Sequence, residues 1–523
     1  MTIKSSPYFS VICSFIFMTM LCGVLILFVC FHCCDGKLQF ASYYGDHMVL
    51  QRSPERAVVW GYGPEGAQVI VYLSGPTKQI TSPVCVKKGI WQVTLDPVDP
   101  GGPYNVTAIV TEGPQSDSAT LTDVLFGDVW LCGGQSNMYF QTYQVFNASD
   151  ELALAAKYPH VRFFMAALKM SDTELDDLIE VEIPWSVPSA RDVANFSAVC
   201  WMFGRHLYET LGYPIGLVES CWGGTPVEAW SSLKALEQCG LEKNSTDVPY
   251  KKNSVLWNSM IHPFLQMTLK GAIWYQGEAN AGYHKDKYNC SFPAMINDWR
   301  NAFHQATGGQ TAIDFPFGFV QLSTHEKGPV NNGFPEIRWH QTADTGFVPN
   351  KRMQRTFMAV ALDLPDEKSP YGTIHPRDKQ DVAERLSLGA RAVAYNEKNV
   401  SFQGPFPNDI LVTKTYINIT YDQTISVTPS KDIFQICCSS IPSSLEKESC
   451  WVPAPIIHWG LTTVSLSTTM CSPLDEIAAL RYAWIDWPCG FKACPIYSSS
   501  GVLPAPPFEI DHPPGKAKVW KNY

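Results

Sequence analysis

Residues 126–138 read Phe126-Gly-Asp-Val-Trp-Leu-Cys-Gly-Gly-Gln-Ser-Asn-Met138, and they are the strongest indication of the fold. Its apolar run over residues 129–132 has the length and composition of a buried strand. Two glycines, a glutamine and Ser136 follow the run directly. In open α/β sheets, ligands bind outside the carboxyl ends of the strands, so the pattern predicts that Ser136 lies at the functional edge of a sheet.

Four more apolar runs later in the chain have the same character. They span residues 215–220, 271–275, 317–322 and 357–362. Segments with helical spacing lie between and after them, at residues 198–211, 292–306 and 378–395. Strands that alternate with helices predict a doubly wound α/β domain with a parallel sheet, which we assign to residues 122–398.

Short β-type runs separated by turns flank this domain on both sides. Residues 37–121 alternate such runs with Gly- and Pro-rich stretches, which is typical of a small β-sandwich. Residues 399–523 return to short strands and turns, and they hold a cluster of cysteines. We therefore expect β-sandwich-like regions at both ends of the α/β domain, the second of them rich in β structure and in cysteine.

The first 36 residues predict entry into the secretory pathway. Lys4 precedes an apolar run over residues 8–31, which is typical of a cleaved signal peptide over residues 1–36. The same run is long enough for an uncleaved membrane anchor, and that alternative stays open. After cleavage we expect no stable association with a membrane, and a lysosomal or secreted protein.

Cysteines, glycosylation signals and net charge agree with that compartment. Of the 17 cysteines, 12 follow the predicted signal peptide and six crowd into residues 437–494, as in a region stapled by disulfides. The formal net charge of −10 argues against nucleic acid as a partner. The seven Asn-x-Ser/Thr glycosylation signals are at Asn105, Asn147, Asn195, Asn244, Asn289, Asn399 and Asn418.

The groups that acyl transfer requires follow the predicted strands. Ser136 follows the first strand, Gly223 and Gly224 the second, and Gln276 the third, while His375 precedes the last helix. A nucleophile, flexible glycines, an amide and an imidazole would thus meet at one edge. Each also has a structural explanation: the serine as a helix N-cap, the glycines as a tight turn, the histidine as a structural side chain.

Longer motifs carry a family resemblance. Residues 127–138 resemble the nucleophile block of the SGNH hydrolases, and three further motifs resemble the sialate O-acetylesterase family. These motifs are Trp222-Gly-Gly-Thr-Pro-Val-Glu-Ala-Trp230, Ile273-Trp-Tyr-Gln-Gly-Glu-Ala-Asn280 and Ile374-His-Pro-Arg-Asp-Lys-Gln380. The resemblance extends over nearly the whole chain after the signal segment.

This resemblance implies a three-layer SGNH-type sheet and hydrolysis of O-acetyl esters of sialic acids, chiefly at the 9-position. Acetate would be released through an acyl-enzyme, without a cofactor or a metal. Ser136 matches the nucleophile and His375 the general base. The backbone N–H of Ser136, an N–H of the Gly223–Gly224 pair and the Gln276 side chain match the oxyanion hole. O-acetylated sialic acid, free or on glycans, is the expected partner.

One position departs from the wider superfamily, which has an aspartate three residues before the histidine. Gly372 stands there. The imidazole still needs an acceptor that fixes its tautomer, and Asp366, Asp363 or a backbone carbonyl near Thr373 can serve. A dyad and a triad therefore both stay open. Candidates for substrate binding are Glu278, Asn280 and Arg377.

Other functions remain to be distinguished. Glu228 and Glu278 both follow strands, as the paired carboxylates of a glycosidase would, although a glycosidase does not need a serine beside an oxyanion hole. An acetylesterase for other acetylated sugars is a second alternative. A glycan-binding protein on a hydrolase scaffold is a third, and it predicts loss of the nucleophile or the base.

Overall fold

The computed structural model describes residues 36–111, 117–243, 246–328, 331–413, 415–439, 450–472 and 474–511. The predicted signal peptide thus lies outside the described residues, apart from Gly36. Within the described ranges, none of the helices has the length and apolar composition needed to cross a membrane.

Eight strands precede the region predicted to hold the α/β domain. In this N-terminal region the central strands pair antiparallel with their neighbours, and the third strand lies between the first and the seventh. The strands are β1 Gln39–Phe40, β2 Val49–Gln51, β3 Val58–Tyr62, β4 Gln68–Ser74, β5 Gln79–Ile80, β6 Val84–Cys85, β7 Ile90–Thr94 and β8 Gly101–Val110.

Seven strands form the central part of the largest sheet. They are β9 Ser118–Gly134, β10 Val161–Ala166, β11 Val181–Ser186, β12 Ile215–Cys221, β13 Gly271–Tyr275, β14 Phe317–Gln321 and β15 Thr356–Val360. Their spatial order is β11-β10-β12-β9-β13-β14-β15. All neighbours pair parallel except β11, which pairs antiparallel with β10 at the edge.

Helices cover both faces of this sheet. The α-helices are α1 Ser136–Tyr139, α2 Ala148–Leu154, α3 Ala190–Ala194, α4 Ala198–Leu211, α5 Leu233–Glu237, α6 Tyr288–Ala306, α7 Phe334–His340 and α8 Gln380–Val393. Trp130 packs on Phe203 of α4, whereas Trp274 packs on Trp299 of α6. Trp274 pairs in register with Gly133, three positions from Trp130, so the two indoles lie on opposite faces. The arrangement is a three-layer α/β/α structure.

Shorter helical segments connect these elements. A π-helical turn spans Trp257–Ile261, and single 3-10 turns span Thr142–Gln144, Ala155–Lys157, Val227–Trp230, Pro249–Lys251, His262–Phe264, Ala279–Gly282 and Lys285–Lys287.

The expectation of a wholly parallel sheet is corrected to a mixed sheet. All five predicted runs overlap parallel strands of this sheet, but β10 was not predicted and β11 is antiparallel. Arg162 interrupts the apolar pattern of β10, yet it is 4% exposed. Its guanidinium donates to the carbonyl oxygens of Pro159 and His47 and to the Asp123 carboxylate, which is why a charged residue is tolerated there.

Strand β9 joins the N-terminal region to the central sheet. Its first part pairs with β8, and its last part pairs with β12 and β13. The boundary expected between residues 121 and 122 therefore falls inside a single 17-residue strand. One hydrophobic core extends from Leu38 to Ala394, because the two regions share this strand.

The C-terminal region consists of β-strands around a second core between Phe406 and Ile510. The strands are β16 Pro407–Val412, β17 Tyr416–Tyr421, β18 Ile425–Val427, β19 Phe434–Ser439, β20 Trp451–Pro453, β21 Ile456–Trp459, β22 Thr463–Ser467, β23 Glu476–Tyr482, β24 Ile496–Ser498 and β25 Phe508–Asp511. They form antiparallel sheets in the orders β16-β17-β22-β21, β18-β24 and β20-β19-β23-β25. The prediction of a C-terminal region rich in β structure is confirmed.

Buried polar contacts connect this region to the central sheet. The guanidinium of Arg338, on α7, is 0% exposed and donates to the carbonyl oxygens of Leu322, Ser323, Ile485 and Asp486. The Asp486 carboxylate in turn accepts from the backbone N–H groups of His325 and Glu326, in the loop after β14. The C-terminal region thereby supports a loop at the carboxyl edge of the sheet.

Among the described residues, five disulfides use ten of the twelve cysteines. They are Cys132–Cys200, Cys239–Cys290, Cys437–Cys450, Cys438–Cys471 and Cys489–Cys494. The six C-terminal cysteines pair among themselves, in agreement with the prediction of a disulfide-bonded C-terminal region. Among the described cysteines, Cys85 and Cys221 are unpaired.

Candidate active site

The site lies where β9 meets its two neighbours. Gly134, at the end of β9, pairs in register with Cys221 of β12 and with Tyr275 of β13. The segments that follow these three strands therefore leave the sheet side by side. This brings together the parts of the chain that contain Ser136, Gly223 and Gln276.

Gly134 allows the turn that presents Ser136. Its φ is +138°, and a Cβ added there would come within 2.2 Å of the Tyr275 carbonyl oxygen. The next residue, Gln135, donates its backbone N–H to that same oxygen at 2.9 Å. Any residue with a side chain at position 134 would therefore push β9 and β13 apart.

Ser136 is the first residue of α1, and Gln135 is the N-cap. The alternative explanation of Ser136 as an N-cap is therefore corrected. Its hydroxyl oxygen instead lies 2.8 Å from Nε2 of His375, which is 239 positions away in the chain. Both side chains are half-buried, so they are open to a substrate.

The tautomer of His375 follows from its second contact. Nδ1 lies 2.8 Å from the backbone carbonyl oxygen of Tyr371. A carbonyl oxygen only accepts hydrogen bonds, so Nδ1 carries the proton and donates it to that oxygen. Nε2 is then left as an acceptor for the Ser136 hydroxyl hydrogen, which is the arrangement that a general base needs.

Neither candidate carboxylate orients this imidazole. Asp366 accepts two hydrogen bonds from the Arg377 guanidinium, at 2.7 and 3.0 Å. Asp363 accepts two from Arg385, at 2.6 and 2.9 Å. Of the acceptors that the sequence left open, the two acids are held by arginines, and a backbone carbonyl, that of Tyr371, lies at Nδ1.

The surroundings of His375 favour its neutral form. Burial lowers its pKa from the usual value of 6.5, and the positive charges of Lys379 and His325 lower it further, against the opposing contribution of the Tyr371 carbonyl. The unprotonated imidazole therefore persists to a lower pH than a free histidine would allow.

Gly223 packs directly against Ser136. A Cβ added at Gly223 would lie 3.3 Å from the Ser136 Cβ, and Gly224 has a φ of +72°. The turn therefore brings backbone, rather than a side chain, next to the serine. This is the geometry in which backbone N–H groups can reach a developing oxyanion.

Gln276 and Asn280 are too deeply buried to contact a substrate directly. Both are 0% exposed. The Gln276 amide nitrogen donates to the Thr225 carbonyl and to Asn280, and its oxygen accepts from the Tyr288 hydroxyl. Asn280 donates to Glu228. As these hydrogens are engaged, the structure places both amides in a buried network that joins the loops after β12 and β13.

The glycosidase alternative has little geometric support. Glu228 is 0% exposed, accepts from Asn280 and contacts His284 Nδ1 at 3.1 Å. Glu278 is 8% exposed and accepts from Asn137. A pair of glycosidase carboxylates has to flank a sugar bond, which two buried and bonded side chains do not allow. Burial and the hydrogen bond to Asn137 also argue against the substrate-binding role expected for Glu278.

Arg377 is the most accessible of the predicted binding residues. Its guanidinium is paired with Asp366 and lies 4.4 Å from the centre of the Phe146 ring. The Asp366 carboxylate neutralises much of its charge. The attraction of Arg377 for an anionic substrate is therefore weakened by its ion pair with Asp366.

Two buried residues at the site were not predicted, Asn137 and Lys379. They are 1% and 0% exposed, and the Lys379 ammonium nitrogen lies 2.8 Å from the Asn137 side-chain oxygen. Both belong to motifs already quoted, directly after Ser136 and four residues after His375. A lysine directly ahead of the predicted last helix is the sequence feature that could have indicated a buried cation at the site.

The glycosylation signals differ in exposure. Asn289 is half-buried and donates its side-chain nitrogen to Asp344, and Asn418 is half-buried and accepts from Ser465. Asn244 lies outside the described residues. The exposed signals are Asn105, Asn147, Asn195 and Asn399. In the described part of the chain, no cluster of three or more His, Cys, Asp or Glu side chains is arranged to hold a metal ion.

Two family descriptions match this chain. "Carbohydrate esterase, sialic acid-specific acetylesterase" matches residues 126–368. "Sialate O-acetylesterase C-terminal domain" matches residues 409–512. The first match includes the segments after β9, β12 and β13, and the second includes most of the C-terminal strands.

Similar proteins include sialate O-acetylesterases of mammals. That of Homo sapiens is 50% identical over 488 residues, covering 90% of this chain and 92% of the human protein. That of Mus musculus is 49% identical over 519 residues, covering 91% and 95%. Among solved structures, the carbohydrate acetylesterase XAC1771 from Xanthomonas citri matches with a TM-score of 0.75 and 28% identity, covering 90% of this chain and 99% of that one.

Proposed function

The chain belongs to the sialate O-acetylesterase family and is an esterase, and from this premise we propose that it removes O-acetyl groups from sialic acids with Ser136 as nucleophile and His375 as base. The observation that carries the proposal is the 2.8 Å contact between Ser136 Oγ and His375 Nε2. A glycan-binding protein on a degenerate scaffold would not need to retain this contact.

The first half-reaction forms an acyl-enzyme. Ser136 Oγ attacks the acetyl carbonyl carbon while its proton passes to His375 Nε2. The tetrahedral intermediate then collapses, the ester bond to the sugar oxygen breaks, and His375 returns the proton to that oxygen. The deacetylated sugar leaves, and the acetyl group stays on Ser136.

Water completes the cycle. His375 takes a proton from a water molecule, whose oxygen attacks the acetyl carbonyl carbon. Collapse of the second tetrahedral intermediate releases acetic acid, ionised to acetate, and restores the Ser136 hydroxyl with the proton held by His375. The cycle consumes one water for each ester and needs no cofactor.

The proposed oxyanion hole consists of backbone groups. The N–H of Ser136 and an N–H of the Gly223–Gly224 pair would donate to the acetyl carbonyl oxygen as it becomes negatively charged, and the packing of Gly223 on Ser136 supports this assignment. Gln276, expected as a third donor, is assigned to holding the loops after β12 and β13, because its amide hydrogens already have acceptors. Losing one oxyanion donor typically costs about 10²–10³ in turnover.

For the substrate, we propose O-acetylated sialic acid with a preference for the 9-position. The 9-carbon is the free end of the glycerol side chain of sialic acid, so its acetyl group can reach a serine at a sheet edge with little interference from the sugar ring. The five disulfides and the exposed glycosylation signals agree with a lysosomal or secreted site of action.

Acetate release from matched substrates tests the proposal. The wild type is expected to release acetate from 9-O-acetyl-N-acetylneuraminic acid faster than from acetylated xylan, and Ser136→Ala is expected to release none above background. Equal rates on both substrates would remove the sialic acid preference. Binding of the sialic acid without acetate release, by a correctly folded wild type, would favour the glycan-binding alternative.

A further inference from the structure

A buried polar cluster lies beneath the Ser136–His375 pair and takes no part in the steps above. It consists of Asn137, Glu278 and Lys379, which come from three different strand-end segments. They are 1%, 8% and 0% exposed. Burying an ammonium and a carboxyl group costs several kcal/mol per ion, at about the scale of a domain's whole stability, so such a cluster is not retained for stability alone.

Asn137 connects all the parts of the cluster. Its side-chain nitrogen donates to Glu278 Oε1 at 2.6 Å and to the Ile374 carbonyl oxygen at 2.9 Å. Its side-chain oxygen accepts from the Lys379 ammonium at 2.8 Å. Since Asn137 follows the nucleophile and Ile374 precedes the base, one side chain joins the two catalytic segments.

Lys379 makes the second connection. Its ammonium also donates to the Pro376 carbonyl oxygen at 2.6 Å. The carbonyls on both sides of His375, those of Ile374 and Pro376, are therefore held by this cluster. Movement of the histidine away from the serine would break at least one of these bonds.

Aromatic rings separate the ammonium from solvent. The Lys379 nitrogen lies 4.8 Å from the centre of the Phe140 ring and 5.4 Å from that of Tyr275. The Phe140 ring also stacks on the His375 imidazole, with centroids 6.5 Å apart. Phe140 thus contacts both the ammonium and the imidazole, and a charge in so dry a region acts with little screening.

We propose that Lys379 is a positioning residue of the Ser136–His375 pair, which, through Asn137, holds the histidine loop on the serine turn and whose buried positive charge opposes protonation of His375. This inference rests on the proposed serine esterase function. It gives the enzyme a base that stays active in an acidic compartment without a carboxylate beside the imidazole.

The surrounding charges are consistent with that role. Glu278, Asp378 and Asp366 are the acidic groups that act on Lys379. Asp378 is paired with Lys492, and Asp366 with Arg377. Burial raises the pKa of Glu278, and its Oε2 has no hydrogen-bond partner among the described residues, so the carboxyl is held towards its neutral form.

Lys379 carries its positive charge in the pH range in which it would act on His375. Burial lowers its pKa to about 7, so it is protonated in the acidic range in which His375 titrates. The other cation that acts on His375 is His325. Removal of the Lys379 charge should raise the pKa of His375, and the acid limb of the activity profile should move to higher pH.

The test compares Lys379→Met and Lys379→Gln with the control Lys169→Met, which removes a half-exposed cation that pairs with Glu180. The kinetic constants kcat and KM for p-nitrophenyl acetate are measured from pH 4 to 8. We expect the Lys379 variants to lose about 10- to 100-fold in kcat, with KM within about 2-fold. Their acid limb should move up by about 0.5 pH unit or more, while Lys169→Met follows the wild type.

An unchanged acid limb in the Lys379 variants would overturn the proposal, whatever their kcat. If neither variant folds, Asn137→Asp is measured instead, because it keeps the acceptor for Lys379 and adds a negative charge that neutralises the ammonium. The acid limb should then move in the same direction. An acid limb that does not move would refute the role of Lys379. A wild type that hydrolyses no acetyl ester would instead refute the serine esterase function.

Discussion

Nδ1 of His375 donates to the backbone carbonyl oxygen of Tyr371 at 2.8 Å, in the place that a carboxylate takes in a serine–histidine–aspartate triad. A carbonyl dipole fixes the tautomer as a carboxylate does. It stabilises an imidazolium less, because it carries no full charge. The proposed catalytic group is therefore a dyad with a backbone acceptor, and several consequences can be measured.

Asp366→Asn is expected to lower kcat by less than about 10-fold, whereas loss of a triad aspartate costs about 10⁴-fold. The reason is that Asp366 bonds to Arg377 and makes no contact with His375. Steady-state hydrolysis of p-nitrophenyl acetate measures the effect, with Ser136→Ala as the inactive reference. A loss of 10³-fold or more in a folded variant would contradict the dyad.

The acid limb of kcat/KM is expected to have its midpoint below pH 6.5. Burial and the charges of Lys379 and His325 lower the pKa of His375, and only the unprotonated imidazole accepts the serine proton. Activity is therefore present above the shifted pKa and is lost as the pH falls through it. A pH–rate profile on free 9-O-acetyl sialic acid gives the midpoint, and a value above 6.5 would be inconsistent with this environment.

Gly223→Ala is expected to lower kcat by about 10²-fold with little change in folding. The new methyl group would lie 3.3 Å from the Ser136 Cβ and would displace the backbone donors from the oxyanion. Gly282→Ala is the matched control, since a Cβ there meets nothing within 4 Å. Equal activity of the two variants would show that Gly223 has no part in the oxyanion hole.

Arg338→Met is expected to lower the free energy of unfolding by about 3 kcal/mol or more. The substitution leaves four buried carbonyl oxygens without a donor, at the junction of the central sheet and the C-terminal region. Urea unfolding followed by tryptophan fluorescence measures the change. Lys327→Met is the control, because its ion pair with Glu367 is exposed, and it should unfold as the wild type does.

Replacing both Cys132 and Cys200 with serine is expected to destabilise the protein by about 4 kcal/mol, from the chain entropy of a 68-residue loop. The disulfide ties the nucleophile strand β9 to helix α4, and both cysteines are fully buried. Thermal unfolding monitors the effect, with Cys85→Ser, at an exposed unpaired cysteine, as the control. A double variant as stable as that control would refute this contribution.

Much of the central sheet was predictable from the sequence because its strands are buried on both faces. Continuous apolar runs identify β9, β12, β13, β14 and β15 without any knowledge of their neighbours. The apolar pattern is interrupted in β10 by Arg162, whose charge is neutralised by groups that are remote in sequence, so this strand was not predicted. The boundary predicted between residues 121 and 122 falls inside β9, because the periodicity changes where one strand passes between two pairing environments.

The groups that reach the carboxyl edge of the sheet can be predicted from the sequence alone, since strand burial and the residues after each strand are local properties. The contact between Ser136 and His375 follows from that edge. The acceptor that each donor meets, in contrast, depends on the tertiary contacts. The carboxylates of Asp363 and Asp366 accept hydrogen bonds from arginines, and the Tyr371 carbonyl accepts one from His375. The amides of Gln276 and Asn280 belong to a buried network. These pairings depend on ångström-scale distances between loops that are far apart in the chain.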